Sequence, residues 1–358
     1  MVSTDGEGDS LRGFKEIPDD DLARLTGIVK EKIDLMKEPP SEFEAVTAIG
    51  FLYFLEQKCD IVVLEVGMGG EADSTNVIPA PLVTVMVNIG LDHMQYLGNT
   101  ITEIARTKSG VIKKGSEVVF YGENDEALAV ISERCKKTGC TLHVPDFSLL
   151  KTRKNGLSGQ TFDYGDHKNI RLSLLGKYQE NNAAVAIEAI EVLKNKGLDI
   201  TEEDITEGLA ATNWFARLEK LAEAPYVFVD GSHNPQGMRA TVDAVKQAVK
   251  DEKRHFSDII CVFGVMADKD HHAIIEILSE IATEIVAVQP VYVRAMNCDD
   301  LFREVSDICL PLGIKVSNGG SVPDGIRLAM KHADKDALVL CLGSLYMAGE
   351  VRDHFLQK

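Results

Sequence analysis

The sequence has no paired cysteine motif. Its seven cysteines (Cys59, Cys135, Cys140, Cys261, Cys298, Cys309 and Cys341) are odd in number and scattered, with no C-x-x-C among them. A disulfide framework is therefore not expected, and the chain reads as reduced and cytoplasmic. It also lacks any apolar run approaching the roughly 18 residues that span a bilayer. The opening, MVSTDGEGDSLRGF, has no basic start followed by an apolar stretch, so neither secretion nor membrane spanning is expected. Basic charge is scarce. Thirty-eight Lys and Arg stand against 56 Asp and Glu, a net charge of −18, and a field of that sign repels phosphate backbones and acidic lipid surfaces. Nucleic acid is not an expected partner. A small anionic substrate is still allowed, because helix N-termini, a few basic side chains and a metal ion can build a local positive field.

What is present is ordinary for a globular protein: 45% hydrophobic and 26% charged residues, with 6% aromatics. At roughly 150 residues per domain, 358 residues suggest two domains. Asp19 to Asp21 offer an N-cap, and Leu22, Leu25, Val29, Ile33 and Met36 repeat at helical spacing until Pro39 and Pro40 stop the helix. The run from Phe43 to Leu55 is apolar on most faces and predicts a buried helix. DIVVLEV (Asp60 to Val66) and LVTVMVNI (Leu82 to Ile89) read as parallel strands covered on both sides. The stretch from Leu149 to Leu175 is polar and predicts short hairpins. From Tyr226 onward YVFV, IICVF, EIVAV, IKV and ALVLCL alternate with helical segments, the pattern of a doubly wound sheet with ligands at the carboxyl ends of its strands. The boundary falls near Phe215.

Several residues could carry chemistry. In LEVGMGG, Glu65 stands near the end of a predicted strand and Gly67, Gly69 and Gly70 form the turn, where a carboxylate could hold a nucleotide-bound Mg²⁺ or simply be solvated. Asp92 and His93 occupy a similar loop one strand later, where His93 is a metal ligand or a helix cap. Thr100 and Glu103 form a capping box. In the helix that follows, Ile101, Ile104, Ala105 and Lys108 share one face, so Lys108 is either a desolvated nucleophile or a snorkelling side chain. VDGSHNP aims Asp230 and His233 over the edge of the second sheet, beside a helix N-terminus suited to an anion. Arg217 reaches a phosphate or makes an ordinary salt bridge, Gln179 and Asn182 open a helix at 182–194, and MADKDHH is a substrate loop or a solvated turn.

In this order, LEVGMGG, STNVI, GLDHMQYLG, TKSGVIKKG, YQENNAA, WFARLE, VDGSHNP, FGVMADKD and GSLYMAGEVR resemble the folylpolyglutamate synthase and dihydrofolate synthase family of the Mur ligase superfamily. The resemblance runs from about Glu16 to the C-terminus. It implies an α/β protein with a three-layer central ATPase-type domain (1–215) followed by a Rossmann-like doubly wound C-terminal domain (216–358). It implies an ATP-dependent amide ligase that joins glutamate to a folate or to dihydropteroate through an acyl phosphate, acting as a monomer. Carried over by motif, Glu65, His93 and a carbamylated Lys108 would hold Mg²⁺. Asn182, Arg217 and Asp230 would hold ATP, and His233 would lie near the acyl phosphate or the incoming amino acid.

The sequence departs from the family at two points. Family members carry a P-loop ahead of the EVG motif, whereas the nearest match to G-x-x-x-x-G-K-[ST] is GVIKKGS (Gly110 to Ser116), with Ser in place of the Lys. The chain thus reads as beginning after that loop. Losing several charge-assisted hydrogen bonds of roughly 1.5–3 kcal/mol each would weaken ATP binding about a thousandfold or more. Glu71 stands where the family usually has Arg. A folate ligase is the leading expectation, and a non-catalytic folate- or amino-acid-binding relative is the alternative.

Overall fold

The computed structural model describes residues 16–91, 94–251, 253 and 255–356. They divide into two compact units, one reaching to Phe147 and taking in Asn182–Thr201, the other comprising Ser148–Asn181 and everything from Glu202 onward.

The first unit opens with α1 (Asp19–Ile33) and α2 (Glu42–Glu56). Ser41 and Glu44 cap α2 reciprocally, and Leu25, Val29, Ile49 and Tyr53 bury against one another between the two helices. The expectation that α2 is buried does not hold: Phe43, Val46 and Leu55 are exposed. Nor is Asp60–Val66 a strand; it runs as irregular chain, and Val63 is 91% exposed. Its β-branched residues suit a sheet, but no strand among the described residues offers it a ladder partner. The sheet that does form is β1 (Val83–Met86), β2 (Glu117–Phe120) and β3 (Thr141–His143), parallel and in the order β1-β2-β3. On one face of this sheet, α3 (Met94–Leu97), α4 (Ile101–Lys108) and α5 (Asp125–Thr138) build a core around Ile104, Phe120 and Ile131. On the other, Val119 and Tyr121 meet Val185, Ala189 and Val192.

Those last three residues belong to α6 (Lys177–Asn195). The helix starts five residues before the expected 182, so Gln179 and Asn182 lie within its first two turns and do not cap it. Val185, Ala189 and Val192 lie on its buried side, whereas Ala186, Ile190 and Leu193 are only partly buried.

In the second unit the expected hairpins form an antiparallel sheet of β4 (Leu150–Gly156), β5 (Gly159–Tyr164) and β6 (His167–Leu172), against which α7 (Glu202–Ala211) packs. Then come β7 (Glu219–Glu223), β8 (Tyr226–Val229), α8 (Pro235–Asp251), β9 (Ile259–Phe263), α9 (His271–Leu278), β10 (Glu284–Gln289), α10 (Cys298–Cys309), β11 (Lys315–Ser321), α11 (Val322–His332), β12 (Leu338–Leu342) and α12 (Leu345–Leu356). The strand order is β11-β10-β9-β12-β8-β7, parallel except for β7. All five residues of β12, at its centre, are buried. Met238, Ile275 and Leu301 of α8, α9 and α10 pack on one face, and Val322, Ile326, Met347 and Val351 of α11 and α12 on the other. The chain therefore leaves β8 and β9 toward one face and β12 toward the opposite one. That places a topological switch point at the carboxyl ends of these three strands. No helix among the described residues is long and apolar enough to cross a membrane, and all seven cysteines are free thiols.

Candidate functional site

In the first unit the glycine turn is built onto the last turn of α4. A Cβ on Gly70 would stand 2.5 Å from the Thr107 carbonyl oxygen and 2.8 Å from that of Lys108, so only glycine permits this approach. The close packing sets the chain that carries Glu65 beside the helix end that carries Lys108. Asp73 locks the turn. Its Oδ2 accepts from Met68 N at 2.9 Å, while Oδ1 accepts from Thr75 N at 2.9 Å and the Thr75 hydroxyl at 2.6 Å. Burial alone would raise the Asp73 pKa, but these hydrogen bonds outweigh it and hold the carboxyl below its usual range.

Thr100 Oγ1 accepts from Glu103 N at 3.2 Å, and the Glu103 carboxylate reaches back to Asn99 N at 2.7 Å, one residue earlier than a standard capping box requires. Along α4, Ile104 and Ala105 are fully buried and Lys108 is half-buried. Glu65 is exposed. His93, expected as a metal ligand, lies outside the described residues, as does Asp92. Small-ligand cavities run to roughly 300–1,000 Å³; the one beside this turn measures ≈ 880 Å³ and is bordered by Met68, Glu71, Tyr96, Asn99, Arg106 and Thr107. The GVIKKGS segment serves another purpose. Lys113 Nζ is bound to the carbonyls of Asn76 (2.6 Å) and Ile78, which anchors the chain following the turn.

In the second unit Asp230 follows β8 and is 2% exposed. Its Oδ2 accepts from Leu218 N at 2.9 Å, and its Oδ1 accepts from Ser232 N at 2.9 Å and the Thr241 hydroxyl at 3.0 Å. A buried carboxylate with three donors fixes the backbone on both sides of the strand end. Asn234 caps α8 by accepting from Gly237 N at 2.7 Å, with Pro235 as the first helical residue. His233 is half-buried, and its Nδ1 lies 3.0 Å from the Gly231 carbonyl oxygen. With Nδ1 protonated it donates this bond and leaves Nε2 as an acceptor.

Arg217 occupies an unusual corner. Ala216 before it and Leu218 after it both have positive φ, 54° and 45°, each costing about 1–3 kcal/mol for a residue other than glycine. Both are buried. Gly231 N donates to the Ala216 carbonyl at 2.8 Å, and a Cβ on Gly231 would stand 3.1 Å from an Arg217 guanidinium nitrogen and 2.2 Å from a Leu345 methyl. Arg217 makes no ion pair among the described residues; its one hydrogen bond is a long one, 3.4 Å, to the Ala216 carbonyl. Tyr178 belongs to the same neighbourhood: burial pushes its phenol up to about 12, the Asp230 charge adding to this and Arg217 opposing it. Thus Arg217, Asp230, His233 and Tyr178 gather at the switch point of the second unit. Glu65 and Lys108 lie at the glycine turn of the first, and Asn182 is an exposed residue on α6. Sequence reasoning missed Asp73, Tyr178 and Thr241. Tyr178 opens the YQENNAA motif, but nothing local marks Asp73, which holds the turn through Met68 and Thr75, or Thr241, whose hydroxyl meets the side chains of Asp230 and Ser232.

A doubly wound second unit with its polar residues at the switch point, preceded by a three-layer unit with a glycine turn, is the arrangement of a Mur-type ligase. Residues 16–190 match the Mur ligase middle domain and residues 216–345 match the Mur ligase glutamate ligase domain. The chain is 34% identical over 357 residues to the folylpolyglutamate synthase of Lacticaseibacillus casei, covering 95% of this chain and 78% of the relative. It is 33% identical to the dihydrofolate synthase/folylpolyglutamate synthase of Bacillus subtilis, covering 98% and 81%. It superposes with a TM-score of 0.83 and 26% identity on the Mycobacterium tuberculosis folylpolyglutamate synthase complexed with ADP and AMPPCP, over 96% of this chain and 80% of that one. The chain belongs to the folylpolyglutamate synthase and dihydrofolate synthase family.

Proposed function

We propose that this protein is an ATP-dependent ligase that forms an amide between a folate carboxylate and the amino group of L-glutamate, dihydropteroate being the other acyl substrate to test. One observation carries the reading: the family match includes both the middle domain, 16–190, and the glutamate ligase domain, 216–345, which supports a chain equipped for both half-reactions. In the first half-reaction the substrate carboxylate attacks the γ-phosphorus of ATP, giving an acyl phosphate and ADP. In the second the glutamate amine attacks the carbonyl, phosphate leaves, and the amine loses a proton.

Arg217, held at its strained corner, supplies fixed positive charge for a phosphate at the switch point. Asn182 contributes an amide to the nucleotide. Asp230 spends its oxygens on two backbone N–H groups and the Thr241 hydroxyl, and its part is to shape the turn that presents Arg217 and His233. Nε2 of His233 is the acceptor available to orient the amine or receive its proton. Mg²⁺ takes oxygen ligands and commonly uses only one or two protein carboxylates, with phosphates and water completing its shell. The Glu65 carboxylate and a carbamate on Lys108 fit that donor set, and the described residues contain no ready-made group of three His, Cys, Asp or Glu. His93 would be the further ligand. A bound Mg²⁺ would neutralise phosphate charge. For this function we assign residues 1–215 to the ATPase-type part and 216–358 to the glutamate-ligase part. That division differs from the compact units in the placement of residues 148–181 and 202–215. We further propose a cytoplasmic monomer.

The test is ADP release by the 358-residue chain in millimolar Mg-ATP, with and without a folate plus glutamate. Release that needs both substrates establishes the ligase. Binding of folate or glutamate by a folded chain without ADP release establishes the non-catalytic reading, which draws support from the commitment of Lys113 to the Asn76 and Ile78 carbonyls.

A further inference from the structure

We infer that Arg352 is a positioning residue for Arg217, acting through Glu219 and Phe215; the inference rests on the reading that Arg217 meets the nucleotide. The turn from Phe215 to Glu219 holds Arg217 between two buried residues in the left-handed region. Such a backbone persists only where its surroundings over-determine it. Two of its restraints come from the strand end already described: Asp230 on Leu218 N and Gly231 N on the Ala216 carbonyl. The third is the Glu219 carboxylate, whose Oε2 accepts from Ala216 N at 3.0 Å. This is the restraint nearest the first strained residue, and it depends on a carboxylate being held in one rotamer.

Arg352 of α12 holds it. Arg352 Nε donates to Glu219 Oε1 at 3.1 Å, so the two carboxylate oxygens are divided between the turn and the helix. The same guanidinium lies over the Phe215 ring, 3.8 Å from its centroid, a planar cation on an aromatic face. One side chain therefore fixes the residue two before Arg217 and the residue two after it. The side chains of the pair are mostly buried, which reduces the solvent screening that makes surface pairs weak. Ala216 itself packs among Met347, Ala348 and Val351 of α12, so the helix that supplies Arg352 also seats the strained corner. Arg352 closes the GSLYMAGEVR segment, seven residues past the end of the matched glutamate ligase domain at residue 345.

A side chain that only stabilised the fold would lower the melting temperature without changing how Arg217 meets its ligand. The experiment is a double-mutant cycle. Mg-ATP affinity is read from the emission of Trp214, the single tryptophan, and the KM values for ATP and for glutamate are read from ADP release. Arg217→Ala is expected to weaken ATP binding about a hundredfold and Arg352→Ala about tenfold, with the glutamate KM unchanged. In the Arg217→Ala background Arg352→Ala should cost less than about twofold. Arg352→Lys, which keeps the pairing with Glu219 but not the planar cover of Phe215, should recover about half of the loss on a logarithmic scale. Glu219→Gln, which keeps an acceptor for Ala216 N and weakens the ion pair, should show a smaller loss of the same kind and serves if Arg352→Ala does not fold. Equal losses from Arg352→Ala in both backgrounds, or a lowered melting temperature with unchanged ATP affinity, overturn the inference and leave the nucleotide reading standing. An unchanged affinity in Arg217→Ala overturns both.

Discussion

The two parallel sheets begin from similar sequence and end in different states. In the second unit, runs such as ALVLCL and IICVF become central strands, paired on both sides and covered by helices on both faces. In the first, DIVVLEV has the same β-branched character but stays irregular, with Val63 91% exposed, and among the described residues the sheet has three strands with β1 at its edge. Composition alone therefore does not make a strand. A ladder needs a neighbour, because an extended chain without one satisfies its N–H and C=O groups with water and gains no packing. The units also place their polar residues differently. The first presents Glu65 exposed and Lys108 half-buried around a glycine turn, whereas the second uses buried Asp230 to fix the strand end beside Arg217 and the half-buried His233.

The largest expected effect separates chemistry from stability. Lys108→Ala should reduce folate- and glutamate-dependent ADP release by at least about a thousandfold, with a denaturant midpoint unchanged from the parent; undiminished turnover would end the role given to Lys108. Asp230→Ala should do the opposite first. It strands the N–H groups of Leu218 and Ser232 and leaves the Thr241 hydroxyl with Ser232 alone, at about 2–4 kcal/mol, visible as a lowered urea midpoint before any kinetic comparison is made. A matched pair of valines then tests the contrast between the sheets. Val339→Ala in fully buried β12 should cost about 1–3 kcal/mol, and Val63→Ala no more than about 0.5 kcal/mol. Equal costs in equilibrium unfolding would show that the 60–66 segment is packed after all.

The smallest effect concerns pH. The Arg153 guanidinium, with help from the Asn169 N–H, holds the Asp163 carboxyl at about 2, below the usual carboxylate value of roughly 3.9. A lowered folded-state pKa contributes stability that is present above the unfolded value and lost as pH falls through the folded one. The sheet of β4, β5 and β6 should therefore weaken between about pH 4 and pH 2, and Asp163→Asn should flatten that part of the stability profile. An acid melt followed by circular dichroism distinguishes the two curves.

Much of the fold was legible where two local signals agreed. Thr100 with Glu103 marked the start of α4, polar residues between Leu149 and Leu175 marked the hairpins, and five apolar runs after Tyr226 marked β8 to β12. The errors came where a single signal stood alone. Apolar composition suggested that α2 is buried, and Gln179 and Asn182, read as opening residues, suggested a helix at 182–194 when it begins at Lys177. EKLAE, which forms the antiparallel edge strand β7, has no strand pattern; pairing with β8 makes it one.

The sequence by itself determined the class of the protein, because ordered motifs fix which residue types occur at the strand ends and helix starts, and those are local properties. It also determined that the glycines of LEVGMGG are needed in a turn. Only the tertiary structure decided what those glycines approach, that Asp230 serves the backbone, and that Arg217 sits between two left-handed residues steadied by Arg352. Arg352 is separated from Glu219 by more than a hundred residues of chain. Contacts at that range depend on which helix packs beside which strand, and no local periodicity or motif carries that information.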